Sequence, residues 1–194
     1  MKLLMSAIAA CVALAACADK SNWQTASIDG LLPTLEFSMT DDTGRAVTAQ
    51  TYRGKTVLLY FGYTSCPDLC PTTLARLAQA LKGTRNHGAD TVVLFVSVDP
   101  GRDSVNRLHR YVHAFGPWFV GLRGTPEELV ALTKRYRVTY SYAERDKEGD
   151  YEVTHSTGVF VFDRNGRSRL LVLPHHADEA ITADLDRLAS ADPR

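Results

Sequence analysis

The chain has 194 residues, 22 basic and 22 acidic side chains, and 45% hydrophobic residues. That length fits one domain, and hydrophobic and charged fractions of 45% and 23% exclude a disordered or collagen-like chain. Zero formal net charge, with no basic cluster beyond Lys134, Arg135 and Arg137, gives no footprint for a nucleic-acid partner. Four cysteines are too few for a disulfide scaffold but enough for a redox or metal site.

Residues 1–16 read MKLLMSAIAACVALAA: Lys2, then an apolar run of 14 residues from Leu3 to Ala16. A bilayer span takes about 20 apolar residues, so this run is too short to cross one comfortably. A basic start, an apolar middle and small residues at the end are the parts of a secretory signal. Leu14-Ala15-Ala16-Cys17 resembles the bacterial lipobox, in which the cysteine is acylated and becomes the mature N-terminus. Ordinary cleavage at Ala13-Leu14-Ala15 is the alternative, but the lipobox also accounts for the cysteine. The expectation is a lipoprotein-type signal over 1–16 and lipid on Cys17, holding an exported domain at the periplasmic side of a bacterial membrane. That compartment permits disulfides. Residues 17–30 have no apolar period and read as a tether, which leaves 31–194 as the domain.

Leu35 to Met39 alternates apolar and polar as a half-buried strand does, and the Asp41-Asp42-Thr43-Gly44 turn predicts a short return strand. Thr56 to Phe61 and Thr91 to Val98 are continuous β-prone apolar runs, suited to strands buried on both faces. A third run, Gly158 to Phe162, meets the Asp163-Arg164-Asn165-Gly166 turn and opens a hairpin into Leu170 to Leu173. Helix spacing marks Leu74, Leu77, Ala78 and Leu81; Val105, Leu108, Val112 and Phe115; and Leu129, Val130, Leu132 and Thr133. A last helix is predicted over Asp178 to Ala189. This order implies one α/β domain, a mixed sheet with helices on both faces.

The segment Tyr60-Phe61-Gly62-Tyr63-Thr64-Ser65-Cys66-Pro67-Asp68-Leu69-Cys70-Pro71 joins a buried strand to a helix. Thiols at a helix start feel the positive end of the dipole and unpaired N–H groups, which favour thiolate. Cys66 and Cys70 are four apart, so a helical segment brings both sulfurs to one face. Such a pair can close a disulfide, exchange disulfides with a partner, or grip a soft metal ion. A purely structural disulfide is the weakest reading, because a staple gains little from closing so short a loop.

FGYTSCPDLCPTTL (61–74), VSVDPGRD (96–103), GLRGTPEEL (121–129) and DYEVTHSTGVFVFD (150–163) together resemble signatures of the Sco/SenC family of thioredoxin-like copper proteins. The resemblance runs from about residue 31 to 190. It implies a thioredoxin-like fold, a copper site of Cys66, Cys70 and His155, and an added β-hairpin carrying the histidine. The chemistry agrees independently, since two thiolates and an imidazole suit copper, thiolates favour Cu(I) in particular, and Cu(II) stays a second candidate. A strand over Tyr151 to Val153, pairing toward Val159, is expected to bring His155 to the cysteine loop. Asp68 matches the family loop as a residue supporting the ligands. Family members often have His where Ser65 stands and Asp where Thr154 stands, positions that tune affinity by about 10–100-fold.

The resemblance implies a copper metallochaperone, taking copper from a donor protein and delivering it to the dinuclear copper site of cytochrome c oxidase subunit II or to another copper enzyme. On that reading the chain is not a classical enzyme. The alternative is a membrane-anchored thiol–disulfide reductase acting on partner cysteines through Cys66 and Cys70, for which His155 is unnecessary. A peroxidase fits less well, because the cysteine spacing and His-bearing segment differ from the peroxide-reducing relatives of the fold.

The remaining motifs read as structural. His109 and His113 lie four apart on one predicted helix, with no third ligand in view, and are expected to be solvated. The adjacent His175 and His176 are poorly placed to share an ion. Asp99 and Asp103 read as turn and cap residues. Trp118 and Phe119 read as core. Tyr60, Phe61 and Tyr63 are either core or a docking patch.

Overall fold

The computed structural model describes residues 22–191. The signal, the lipobox and Cys17 lie outside them. In chain order the elements are β1 (Ala26–Ser27), β2 (Ser38–Asp41), β3 (Ala46–Thr48), β4 (Thr56–Gly62), α1 (Leu69–Gly83), β5 (Thr91–Ser97), α2 (Val105–His113), β6 (Phe119–Arg123), α3 (Pro126–Arg135), β7 (Tyr140–Tyr142), β8 (Val153–His155), β9 (Val159–Phe162), β10 (Ser168–Val172) and α4 (Asp178–Ala191).

The main sheet has the order β1-β10-β9-β4-β5-β6-β2-β3. Strands β4, β5 and β6 are parallel, and every other pairing is antiparallel. The predicted runs land in the centre, where all seven residues of β4 are buried. Two successive crossovers in one direction put α1 and α2 on one face. There Tyr60 meets Phe95, and Phe95 meets Tyr111 of α2. Helix α4 joins that face beside α1, with Thr182 donating to the Ala80 carbonyl at 3.1 Å. After β6 the chain turns back through α3, and Tyr136 at its end packs on Phe160 and Phe162 of the opposite face. Helices therefore flank both faces of a mixed sheet.

Three expectations shift. The strand expected over Leu35 to Met39 begins only at Ser38, because the preceding segment is held by other bonds: Leu35 N–H to the Gly166 carbonyl, and Glu36 N–H to the Tyr136 hydroxyl. The tether expected over 17–30 is part of the fold in its later half. Ala26–Ser27 pairs with β10, and the buried Asp184 accepts from Gln24 N–H, Thr25 N–H and the Thr25 hydroxyl. Finally, β8 pairs not with β9 but with β7, in a separate two-stranded sheet.

Candidate metal site

Strand β4 runs into a loop at the C-terminal end of the parallel strands, where open α/β sheets place their sites. Gly62 is its last residue. A Cβ there would come within 2.8 Å of the Phe95 ring and 2.9 Å of Cys70 Sγ, so glycine makes room for the sulfur. The loop is fixed from below by Asp103, which is fully buried. Its carboxylate accepts from Thr64 N–H at 3.1 Å, from the Thr64 hydroxyl, and from Ser97 Oγ at 2.6 Å. Asp103 is thus more than a turn residue, since it holds the loop that carries Cys66.

Cys66 is half-buried and Cys70, in the first turn of α1, is fully buried; both are free thiols. The Cys70 N–H donates to Cys66 Sγ at 3.4 Å, so one sulfur caps the turn that positions the other. The helix start was expected to favour thiolate. At Cys70 burial overrides it, and with Cys66 alongside, the thiol is pushed up to about 12.

His155 arrives from the β7–β8 hairpin. Tyr142 at its far end donates to the Val98 carbonyl at 2.6 Å, and Val153 N–H donates to the Tyr63 hydroxyl at 3.4 Å. In the segment leading into β8, Tyr151 donates to buried Asp99 at 2.8 Å, and Arg102 stacks over its ring at 3.7 Å. Asp99 therefore latches this segment to the main sheet. Tyr60 and Tyr63 both meet the His155 ring edge-on, at 6.1 and 6.0 Å between centroids. Both tyrosines are buried walls of the site rather than a docking patch, and buried Phe61 is core, packing on Phe160. His155 Nδ1 lies 3.0 Å from the Ser156 carbonyl, which fixes the proton on Nδ1 and leaves the Nε2 lone pair facing Cys70 Sγ at 3.4 Å. Burial also holds the imidazole below its ordinary value, in the neutral form a metal needs.

Cys66 Sγ, Cys70 Sγ and the His155 ring nitrogen all lie within 4.8 Å of one another. Donors about 2.0–2.3 Å from one ion need separations in that range, so the set fits a single soft or borderline ion. The three residues expected from the sequence are brought together. Asp68 is exposed, and its carboxylate accepts from Thr72 Oγ1 at 3.3 Å on the first turn of α1. Ser65, beside Cys66, accepts from Arg107 Nη2 of α2 at 2.9 Å. Beside the cysteine loop a cleft of about 560 Å³ opens between Ser65, Pro67 and Arg107 on one side and Glu144, Asp150 and Glu152 on the other.

Other expectations resolve as follows. Phe119 is core, but Trp118 is only half-buried, lying over Gly88 and Gly116 with its ring N–H on the His87 carbonyl at 3.1 Å. His176 Nδ1 accepts from Leu173 N–H at 3.0 Å and closes a turn. His109 and His113 do have a third partner, Asp42 of the β2–β3 turn. Sequence reasoning missed it because Asp42 lies 67 positions from His109. The Ser156 carbonyl was equally invisible, and for Tyr60 and Tyr63 the sequence left core and docking patch open. No helix among the described residues is long and apolar enough to cross a membrane.

Comparison with known proteins bears directly on this geometry. The family model described as SCO1/SenC matches residues 29–190. The mitochondrial protein SCO1 homolog 1 of Arabidopsis thaliana is 44% identical over 126 residues, covering 64% of this chain and 37% of its own. The matched stretch spans 37%, 50% and 63% of the first three curated relatives. A crystal structure of Arabidopsis thaliana ScoI with copper bound superposes with TM-score 0.76 at 36% identity, covering 82% of this chain and 99% of that one. Bradyrhizobium japonicum ScoI with copper bound gives TM-score 0.73 at 35% identity, covering 80% and 98%. With the family model matched across nearly the whole described domain, and a Cys-Cys-His group at the head of its parallel strands, the chain belongs to the SCO1/SenC family.

Proposed function

We propose that this chain is a copper metallochaperone that holds copper through Cys66, Cys70 and His155 and passes it to a partner copper enzyme. The observation that carries the reading is the convergence of two sulfurs and a lone-paired imidazole nitrogen within 4.8 Å. Solved relatives at 35–36% identity bind copper, and two thiolates with one imidazole are donors that Cu(I) accepts. A structural zinc site would call for a fourth protein ligand, and the group among the described residues has three.

The residues divide the work. Buried Cys70 would lose its proton to solvent as the ion binds, and the ion's charge would offset the cost that otherwise keeps the thiol protonated. Half-buried Cys66 is the sulfur that an incoming ligand reaches first. Neutral His155, steered by the Ser156 carbonyl, completes the set through Nε2. The recipient we propose is the dinuclear copper site of cytochrome c oxidase subunit II, with a separate protein as copper donor. The N-terminal residues fit export and lipid attachment at Cys17, which would keep this exchange at the membrane surface.

The test is Cu(I) titration of wild type and His155→Ala by chelator competition. One equivalent bound by wild type, weakened by more than about 100-fold in His155→Ala, is expected, exceeding the 10–100-fold typical of outer partners. Equal binding by the two proteins would sink the three-ligand reading.

A second reading has its own observation: one accessible sulfur beside one buried sulfur. In a reductase, Cys66 thiolate attacks a partner disulfide and releases one partner thiolate. Cys70 then attacks the Cys66 sulfur and releases the second, so the partner gains the two electrons that this pair loses. A Cys70→Ser variant that traps a partner through Cys66, with unchanged rates in His155→Ala, would favour this reading.

A further inference from the structure

We infer that Asp42, His109 and His113 form a second metal site, selective for a borderline divalent transition ion. It lies apart from the sulfur site, with Asp42 on the β2–β3 turn and the histidines on α2. His109 Nδ1 and His113 Nε2 stand 3.2 and 3.0 Å from the same oxygen, Asp42 Oδ2. The two rings are 4.2 Å apart, and one donor atom from each of the three residues lies within 4.8 Å of the others. Donors on a tetrahedral ion with bonds of about 2.05 Å sit about 3.3 Å apart. The two nitrogen–oxygen distances are within a few tenths of an ångström of that spacing.

Burial and strand pairing make the cluster a site rather than a surface coincidence. The Asp42 side chain is 3% exposed, whereas those of His109 and His113 are 50% and 43% exposed. The carboxylate is thus fixed from below while the imidazoles close over it, leaving the outward positions to water or a ligand. Neighbouring Asp41 is saturated by its own turn, through Thr43 N–H and hydroxyl, Arg45 N–H and the Arg45 guanidinium. That cation is spent on Asp41, so the side chains that meet the Asp42 carboxylate are the two imidazoles. Gly121 of β6 admits the approach: a Cβ there would come within 3.0 Å of Leu108 Cβ and 3.2 Å of Asp42 Cβ.

Donor chemistry chooses the ion. Two imidazoles and a carboxylate, without sulfur, suit Zn²⁺ or Cu²⁺ and offer little to Cu(I). The two clusters would therefore sort ions by softness. Bound metal would pin α2 to the β2–β3 turn. The same helix carries Arg107, which holds Ser65 beside Cys66.

The test is Zn²⁺ titration of the full chain carrying Cys66→Ser and Cys70→Ser, which removes the sulfur site. One equivalent is expected, with a rise in Tm on saturation. In that background His109→Ala or His113→Ala should each weaken binding by about 100-fold or more and abolish the Tm rise. Both histidines are half-exposed, so these variants fold, as circular dichroism would verify. Asp42→Asn should weaken binding similarly; retained affinity there would overturn the three-ligand assignment. The proposal fails outright if Zn²⁺ binds no tighter to the parent than to the His109→Ala/His113→Ala double variant.

Discussion

The two donor clusters are built in opposite ways. At Cys66, Cys70 and His155 the soft donors come from a loop and a helix start, the histidine comes from a distant hairpin, and two aromatic rings pack against it. At Asp42, His109 and His113 the histidines come from one helix, the carboxylate comes from a distant turn, and the site faces solvent. Both depend on a glycine that lets a donor approach a strand: Gly62 under Cys70 and Gly121 under Asp42. The difference teaches that burial sets the protonation of Cys70 at the first cluster, whereas the second rests on how a buried carboxylate and two exposed imidazoles converge.

The largest effect should come from separating the two. Cys70→Ser removes the buried sulfur and should cut Cu(I) affinity by more than about 100-fold, while Zn²⁺ uptake at Asp42, His109 and His113 persists. Competition titration with a Cu(I) chelator and parallel Zn²⁺ calorimetry measure both. Loss of both together would mean that the clusters are one cooperative unit.

Next come the glycines. Gly62→Ala forces Cys70 Sγ or the Phe95 ring to move, so about 1–3 kcal/mol of stability should be lost, as for an overpacked core. Cu(I) affinity should fall about 10–100-fold, the range for disturbed ligand orientation. Gly121→Ala should cost similar stability but weaken Zn²⁺ and leave Cu(I) binding within a few-fold. Urea unfolding and the two titrations separate these outcomes.

These contrasts also explain what could be read from the sequence. Strands β4, β5 and β9 were legible because each is a continuous apolar run, and the four helices because their apolar spacing is regular. Strands β1 and β7 were not: they have two and three residues, and only pairing to β10 and β8 makes them strands. The cysteine pair announces itself within five positions, and His155 became a ligand through resemblance to a family. Asp42 carries no local signal. It reaches the histidines because Asp41 pairs with Leu122 of β6, the strand against which α2 packs.

A smaller effect tests the turn that leaves Asp42 open. Burial raises the Asp41 carboxyl, but hydrogen bonds from Thr43 and Arg45 outweigh it and hold the group below 3.8. A depressed folded value contributes stability above the unfolded value, which is lost as pH falls through the folded one. Asp41→Asn should therefore be about 1–2 kcal/mol less stable than wild type near neutral pH, the scale of hydrogen bonds to a charged group. The gap should close as urea midpoints are followed to below pH 3. A gap independent of pH would assign the loss to the turn's shape and not to the carboxylate charge.

The smallest effect concerns the aromatic wall that only the sulfur cluster has. The buried Tyr60 hydroxyl lies near Cys70 and Thr73 but makes no well-formed hydrogen bond among the described residues, while its ring packs against His155. An unsatisfied buried hydroxyl costs about 1–3 kcal/mol, so Tyr60→Phe should leave stability unchanged or raise it by about 1 kcal/mol. If the wall works only by shape and dryness, Cu(I) affinity should stay within a few-fold of wild type. A fall beyond about 10-fold would mean that the hydroxyl donates to the copper-bound Cys70 thiolate. The wall would then be a polar partner of the ion, and the contrast with the open histidine cluster would rest on hydrogen bonding and not on burial.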